Sequence, residues 1–152
     1  MEYNELIAGF AAKFGVEGIV TKDGITALRF DDMKVEIVHN EVDESVLLYG
    51  VVGQGPTEDI PKYNAFLLQA NFLFQGTGGA TLSQNPSTKE YVLVRAFPLE
   101  HLDTDAFIAV LEAFVNGVER WRTLLADFNP VREEADAMAQ EPLPPFSGII
   151  MG

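Results

Sequence analysis

The sequence predicts an α+β fold of element order α-β-β-β-α-β-β-α, with a twisted, mainly antiparallel sheet covered by helices. Three observations predict it. Apolar residues recur every three or four positions near both ends of residues 1–128 and again in the middle, the spacing of helices. Short β-rich runs fill the intervals, and in one of them apolar and polar residues alternate. Several of these runs are joined by tight turns of Asp, Asn, Gly and Pro, which suit antiparallel neighbours.

The elements follow in order. Residues 2–14 place Tyr3, Leu6, Ile7, Phe10, Ala11 and Phe14 on one helical stripe, with Glu2 and Glu5 in the first turn and Lys13 in the last, as the helix dipole prefers. Gly15 is a helix stop. The stripe packs on a sheet or partly lines a partner groove. After the Lys22-Asp23-Gly24 turn comes ITALRF (25–30), and Asp31-Asp32 connects it to MKVEIVH (33–39). There Met33, Val35 and Ile37 alternate with Lys34 and Glu36. SVLLYGVV (45–52) is apolar on both faces, so it lies centrally in the sheet or has something over each face. Gly53-Gln54-Gly55-Pro56 breaks the sheet, and Thr57 or Asp59 caps a helix over residues 60–75. Pro61 is tolerated in the first turn, where N–H groups lack intrahelical partners. Gly76, Gly78 and Gly79 reverse the chain into a hairpin of residues 80–84 and 90–97. Pro98 ends that hairpin. Asp103 or Thr104 caps a long helix whose stripe is Phe107, Val110, Leu111, Phe114, Val118, Trp121 and Leu125.

A chain of 152 residues fits one core, here assigned to residues 1–128. From residue 129 the composition turns polar and then Pro-rich and apolar (PLPPFSGIIMG), and 129–152 reads as a flexible tail. Phe146, Ile149, Ile150 and Met151 within it are able to dock on a groove. Acidic residues outnumber basic ones 23 to 10, for a formal charge of −13. That balance excludes nucleic acid and anionic membranes as partners, since both need a basic footprint. Absence of cysteine excludes disulfides and thiolate chemistry and agrees with a reducing compartment. The N-terminus lacks the basic start and apolar run of a signal peptide, and no apolar run is long enough to span a bilayer. A soluble cytoplasmic protein is expected.

Catalytic motifs are missing. His39 and His101 sit in no ligand-spaced pattern. Gly76-Thr77-Gly78-Gly79 follows a helix and precedes a strand, the reverse of a phosphate loop, and reads as a turn. Asp31-Asp32 and the group Glu41, Asp43, Glu44 are acidic turns without the glycine and terminal glutamate of a calcium loop. No cofactor, metal or catalytic residue is expected. What remains is an excess of apolar surface. In the middle helix Ile60, Tyr63, Leu67, Ala70 and Phe74 share a stripe, Phe66 and Leu73 flank it, and Leu68 and Phe72 carry it round the cylinder. One sheet cannot cover so wide a face, and a second copy of the chain is the simplest cover.

Specific stretches resemble a known group. LRFDDMKVEIVHNEVDESVLLYGVVG, then LLQANFLFQGTGGATLSQNPSTKEYVLVRAFPLEHLD, then a helix carrying Val118-Glu119-Arg120-Trp121-Arg122, follow in the order found in the class I type III secretion chaperones of the Tir chaperone (CesT-like) family. The resemblance spans about residues 1–127 and leaves the tail outside. It implies a homodimer without enzymatic activity. Such a protein would bind an extended N-proximal segment of a secreted effector and keep it secretion-competent in the bacterial cytoplasm. It further implies a dimer interface of Tyr63, Phe66, Leu67, Ala70, Phe74 and Leu82. Effector contacts would include Leu6, Phe10, Phe14, Val35, Ile37 and Leu48. The alternative is a peptide-binding regulatory or adaptor module of the same fold, not tied to secretion. A third reading, a small metal-binding protein or enzyme using Asp31, Asp32 and His39, has the least support.

Overall fold

The computed structural model describes residues 2–128. Helix α1 (Tyr3–Phe14) opens the chain, followed by β1 (Thr21–Lys22), β2 (Ile25–Phe30), β3 (Met33–Asn40) and β4 (Ser45–Gly53). Helix α2 (Ile60–Asn71) leads into β5 (Thr81–Gln84) and β6 (Tyr91–Pro98), and α3 (Thr104–Ala126) follows. All strand pairs are antiparallel, in the order β1-β2-β3-β4-β6-β5. The α+β class and the succession of main elements agree with the sequence reading. Residues 129–152, read as a tail, lie outside the described residues.

One strand is added and one boundary moves. The two-residue strand β1 was not expected, because Thr21 and Lys22 are polar, exposed and too few to show a period. Helix α2 stops at Asn71 rather than near Gln75. Leu73 and Phe74 take positive φ angles of 52° and 57°, so Phe72–Phe74 forms a tight 3-10 turn instead of a last helical turn. The Gly76 N–H then reaches back to the Ala70 carbonyl at 2.9 Å and closes the reversal.

The core lies between the sheet and the pair α1 and α3. Register places Val35 beside Gly50 and Ile37 beside Leu48 on one face, and all of them are buried. Leu6, Phe107 and Val118 meet that face from the helices and are also fully buried. Each such side chain contributes about 1.5–3 kcal/mol relative to exposure. Gly50 sets how close α3 comes, since a Cβ there would lie 2.6 Å from a Val118 methyl. The polar residue inside, Thr26, is satisfied by Tyr3 (2.7 Å) and Thr21 (2.6 Å), and the Tyr3 hydroxyl also donates to the Ile37 carbonyl (3.2 Å). At the start of α3 the Asp103 carboxylate accepts from the Ala106 N–H at 2.7 Å, the expected cap. Asp59 does occupy the cap position of α2, but its side chain makes no capping bond there.

Candidate functional site

The two ends of the sheet are finished differently. At the β5 end, Asn71 behaves as a strand neighbour. Its Oδ1 accepts from the Leu82 N–H (2.9 Å) and its Nδ2 donates to the Leu82 carbonyl (3.0 Å). The outward backbone groups in the middle of a four-residue edge strand are thereby satisfied.

At the β2 end the edge is unfinished among the described residues. The two-residue turn Asp31-Asp32 makes Phe30 and Met33 the closing hydrogen-bonded pair, and alternation then turns the backbone groups of Ala27 and Arg29 away from β3. The His39 N–H to Gly24 carbonyl bond (2.8 Å) continues the same alternation. Strand β1 pairs only Lys22 with Ile25 and Thr21 with Thr26, so its ladder stops before Ala27. Alongside runs a groove of about 390 Å³ whose walls include Val16, Ile19, Val20 and Phe30. It adjoins a cavity of about 310 Å³ lined mainly by apolar side chains, among them Phe14, Ile108 and Val115, and both share Phe10, Val16 and Phe30. Phe14, Val16 and Val20 are exposed.

A third surface lies on α2 and the turn after it. Ile60, Leu68, Phe72, Leu73 and Phe74 are all exposed, Leu68 at 69%. Exposed large apolar side chains gathered on one element mark an interaction face. The opposite side of α2 holds the helix to its own protomer. Tyr63 is fully buried, with its ring edge-on to Tyr91 (4.9 Å) and Phe128 (5.1 Å). Phe66 packs on Trp121 (5.7 Å) and Phe128 (5.5 Å).

Of the six residues expected at a dimer interface, Tyr63, Leu67 and Leu82 are therefore buried in the protomer, Phe66 and Ala70 are half-buried, and Phe74 is exposed. Of those expected to touch an effector, Leu6 on the inner side of α1 and Val35, Ile37 and Leu48 on the helix-covered sheet face are fully buried. Phe10 is buried but lines both cavities, and Phe14 is exposed beside it. Sequence reasoning missed Val16, Phe30, Ile108 and Val115 as groove residues. Two of them sit where a signal existed: Val16 just past the helix stop, and Ile108 one position off the α3 stripe.

Titratable groups serve structure. Arg122 grips Asp32 with two hydrogen bonds (3.0 and 2.8 Å), which hold the Asp32 carboxyl below its ordinary range and raise the guanidinium. Desolvation, and then Tyr91 beside it, push the Tyr63 phenol up to about 12, and its hydroxyl is buried without a partner among the described residues. His39 stacks on Tyr3 (4.8 Å) and bonds Glu44 (3.3 Å), while exposed His101 pairs with Glu100. Among the described residues no three His, Cys, Asp or Glu side chains gather as a metal site, and no helix is long and apolar enough to cross a membrane.

Residues 5–122 match the family model of the Tir chaperone protein (CesT) family. The chain belongs to that family. Among characterised relatives, a Tir chaperone of Escherichia coli O111:H- is 27% identical over 115 residues, which cover 75% of this chain and 73% of that protein. The fold recurs in the ExsC–ExsE complex, with a TM-score of 0.70 at 23% identity over 80% of this chain and 92% of that one. It recurs too in the HopA1–SchA chaperone–effector complex, with a TM-score of 0.65 at 20% identity over 83% and 94%. The chaperone-family fold thus accounts for the sheet and its three helices.

Proposed function

We propose that the protein is a non-enzymatic type III secretion chaperone of the bacterial cytoplasm. It binds an extended N-proximal segment of a secreted effector and keeps it secretion-competent. The observation that carries the mechanism is the unfinished β2 edge beside an apolar groove. An extended segment adds a strand there, taking hydrogen bonds from Ala27 and Arg29, and drops alternate side chains among Phe10, Phe14, Val16, Phe30, Ile108 and Val115. Family membership supports the partner class, as does the recurrence of this fold in a chaperone bound to its effector. The protein works as a homodimer whose interface is the face Ile60, Leu68, Phe72, Leu73 and Phe74, extended by the half-buried Phe66 and Ala70. Two edges on one dimer hold two stretches of a single cargo, and the first contact raises the effective concentration of the second.

Affinity purification of the full chain from its native host tests this. An exported protein should co-purify, and deleting that protein's N-terminal region should release it. A stable complex with folded cytosolic proteins, and none with any exported one, would instead mark a regulatory module.

A further inference from the structure

Arg95 emerges on an unusual side of the sheet for a cation. In β6 it shares a face with Leu93 and Phe97, and its cross-strand partner is Leu48, so it leaves the strand on the helix-covered face. Its guanidinium carbon lies 4.7 Å from the Phe97 ring centroid. A Cβ on Gly79 would stand 3.1 Å from the same carbon, and with φ at 99° this position favours glycine on both counts. Half-buried guanidinium groups ordinarily find a carboxylate. Among the described residues Arg95 makes no ion pair, in a chain with 23 acidic residues.

A cavity of about 310 Å³ opens in front of Arg95, between the 76–79 turn and α3. Its wall carries a second cation, Arg120, and Thr77, whose buried hydroxyl has no hydrogen-bond partner among the described residues. Among the described residues no aspartate or glutamate lines it. Leu93 and Phe114 make apolar walls, and the Trp121 indole N–H is already spent on the Gly76 carbonyl at 3.2 Å. We propose that this cavity binds a carboxylate carried on a short apolar stem, with Arg95 as the main partner and Arg120 and Thr77 as further donors. A planar guanidinium fork matches the two oxygens of a carboxylate. Asn116 also lines the cavity, but a phosphate would bring further charged oxygens against the apolar Leu93 and Phe114. The proposal stands apart from the chaperone reading. The carboxylate arrives either on a free small acid or on a glutamate side chain of a bound segment.

The test follows arginine Nε–Hε resonances of the full chain by NMR while butyrate is added at constant ionic strength, with butyramide as the neutral control. Butyrate should shift Arg95 and Arg120 saturably, butyramide should not, and exposed Arg29 should stay still. Arg95→Gln should weaken butyrate binding about tenfold or more, since a charge-assisted bond is lost. Thr77→Val keeps the shape and should weaken it about threefold, the size of a neutral hydrogen bond. A blocked tripeptide with a central glutamate separates the sources: binding tighter than butyrate assigns the site to a protein segment, and equal or weaker binding assigns it to a free acid. Overturning results are Arg29 moving as much as Arg95, butyramide acting like butyrate, or both variants binding like the wild type. If Arg95→Gln fails to fold, the wild-type contrast of Arg95 with Arg29 and the Thr77→Val variant still decide.

Discussion

The β5 edge and the β2 edge belong to the same sheet and meet solvent on opposite terms. At β5 a helix lends one asparagine amide, and the strand's middle residue is satisfied on both sides. At β2 a two-residue strand covers only the first part of the edge, and the remainder lies open beside aromatic and aliphatic walls. An exposed edge is a liability that proteins normally blunt. On the proposed function, blunting one end and leaving the other open directs strand addition to a single place. The helix that guards the closed end, with the turn after it, also carries the exposed apolar residues Ile60, Leu68, Phe72, Leu73 and Phe74, so the proposed dimer face lies at the guarded end and the proposed cargo edge at the open end.

The largest expected effect breaks the guarded end. Leu68→Glu with Phe72→Glu changes two exposed residues on each protomer, so the fold should survive. At about 1.5–3 kcal/mol for each apolar side chain returned to water, dimer affinity should fall by about a thousandfold or more. Sedimentation equilibrium would register monomers. A wild type that is itself monomeric at micromolar concentration would refute the interface. Next in size, Arg29→Pro removes one outward N–H at an edge position where proline is tolerated. Cargo affinity, read by calorimetry, should drop about tenfold, beyond the roughly 1 kcal/mol of one neutral hydrogen bond because the ring also obstructs the incoming strand. Unchanged affinity would place the cargo elsewhere.

Asn71→Ala opens the closed edge. Two hydrogen bonds are lost, so thermal unfolding should show a cost of about 1–3 kcal/mol, and self-association should rise. A variant as stable and soluble as the wild type would mean that the amide guards nothing. The smallest effect concerns Tyr63 at the base of α2. Its phenol is raised to about 12 from the ordinary 10.0, so its contribution to stability is fully present below pH 10 and is lost as the pH rises through about 12. Tyr63→Phe removes a buried hydroxyl unpartnered among the described residues and should leave neutral-pH stability equal or slightly higher while reducing that alkaline loss. A destabilised variant would show that the hydroxyl has a partner in solution.

Most of the fold was legible because periodicity reports burial on one face, and that is what builds helices and strands. The α3 stripe from Phe107 to Leu125 and the alternation at Met33, Val35 and Ile37 both survive in the structure. The same signal misleads about partners. Leu6, Val35, Ile37 and Leu48 are apolar because they form the core, and alternation cannot say which face of a sheet is covered. On α2 the apolar excess was visible in the sequence. The division between Tyr63 and Leu67 facing inward and Leu68 and Phe72 facing outward was not, because it depends on where β6 and α3 sit. The guard role of Asn71 is invisible to any pattern, since it depends on α2 ending where β5 passes.

Amide hydrogen exchange of the full chain, alone and with its effector segment bound, tests the edge contrast most directly. The account predicts that Ala27 and Arg29 exchange rapidly alone and become protected in the complex, while Leu82 is protected in both. Protection of Ala27 and Arg29 before any segment is added, or protection gained at Leu82 instead, would contradict it.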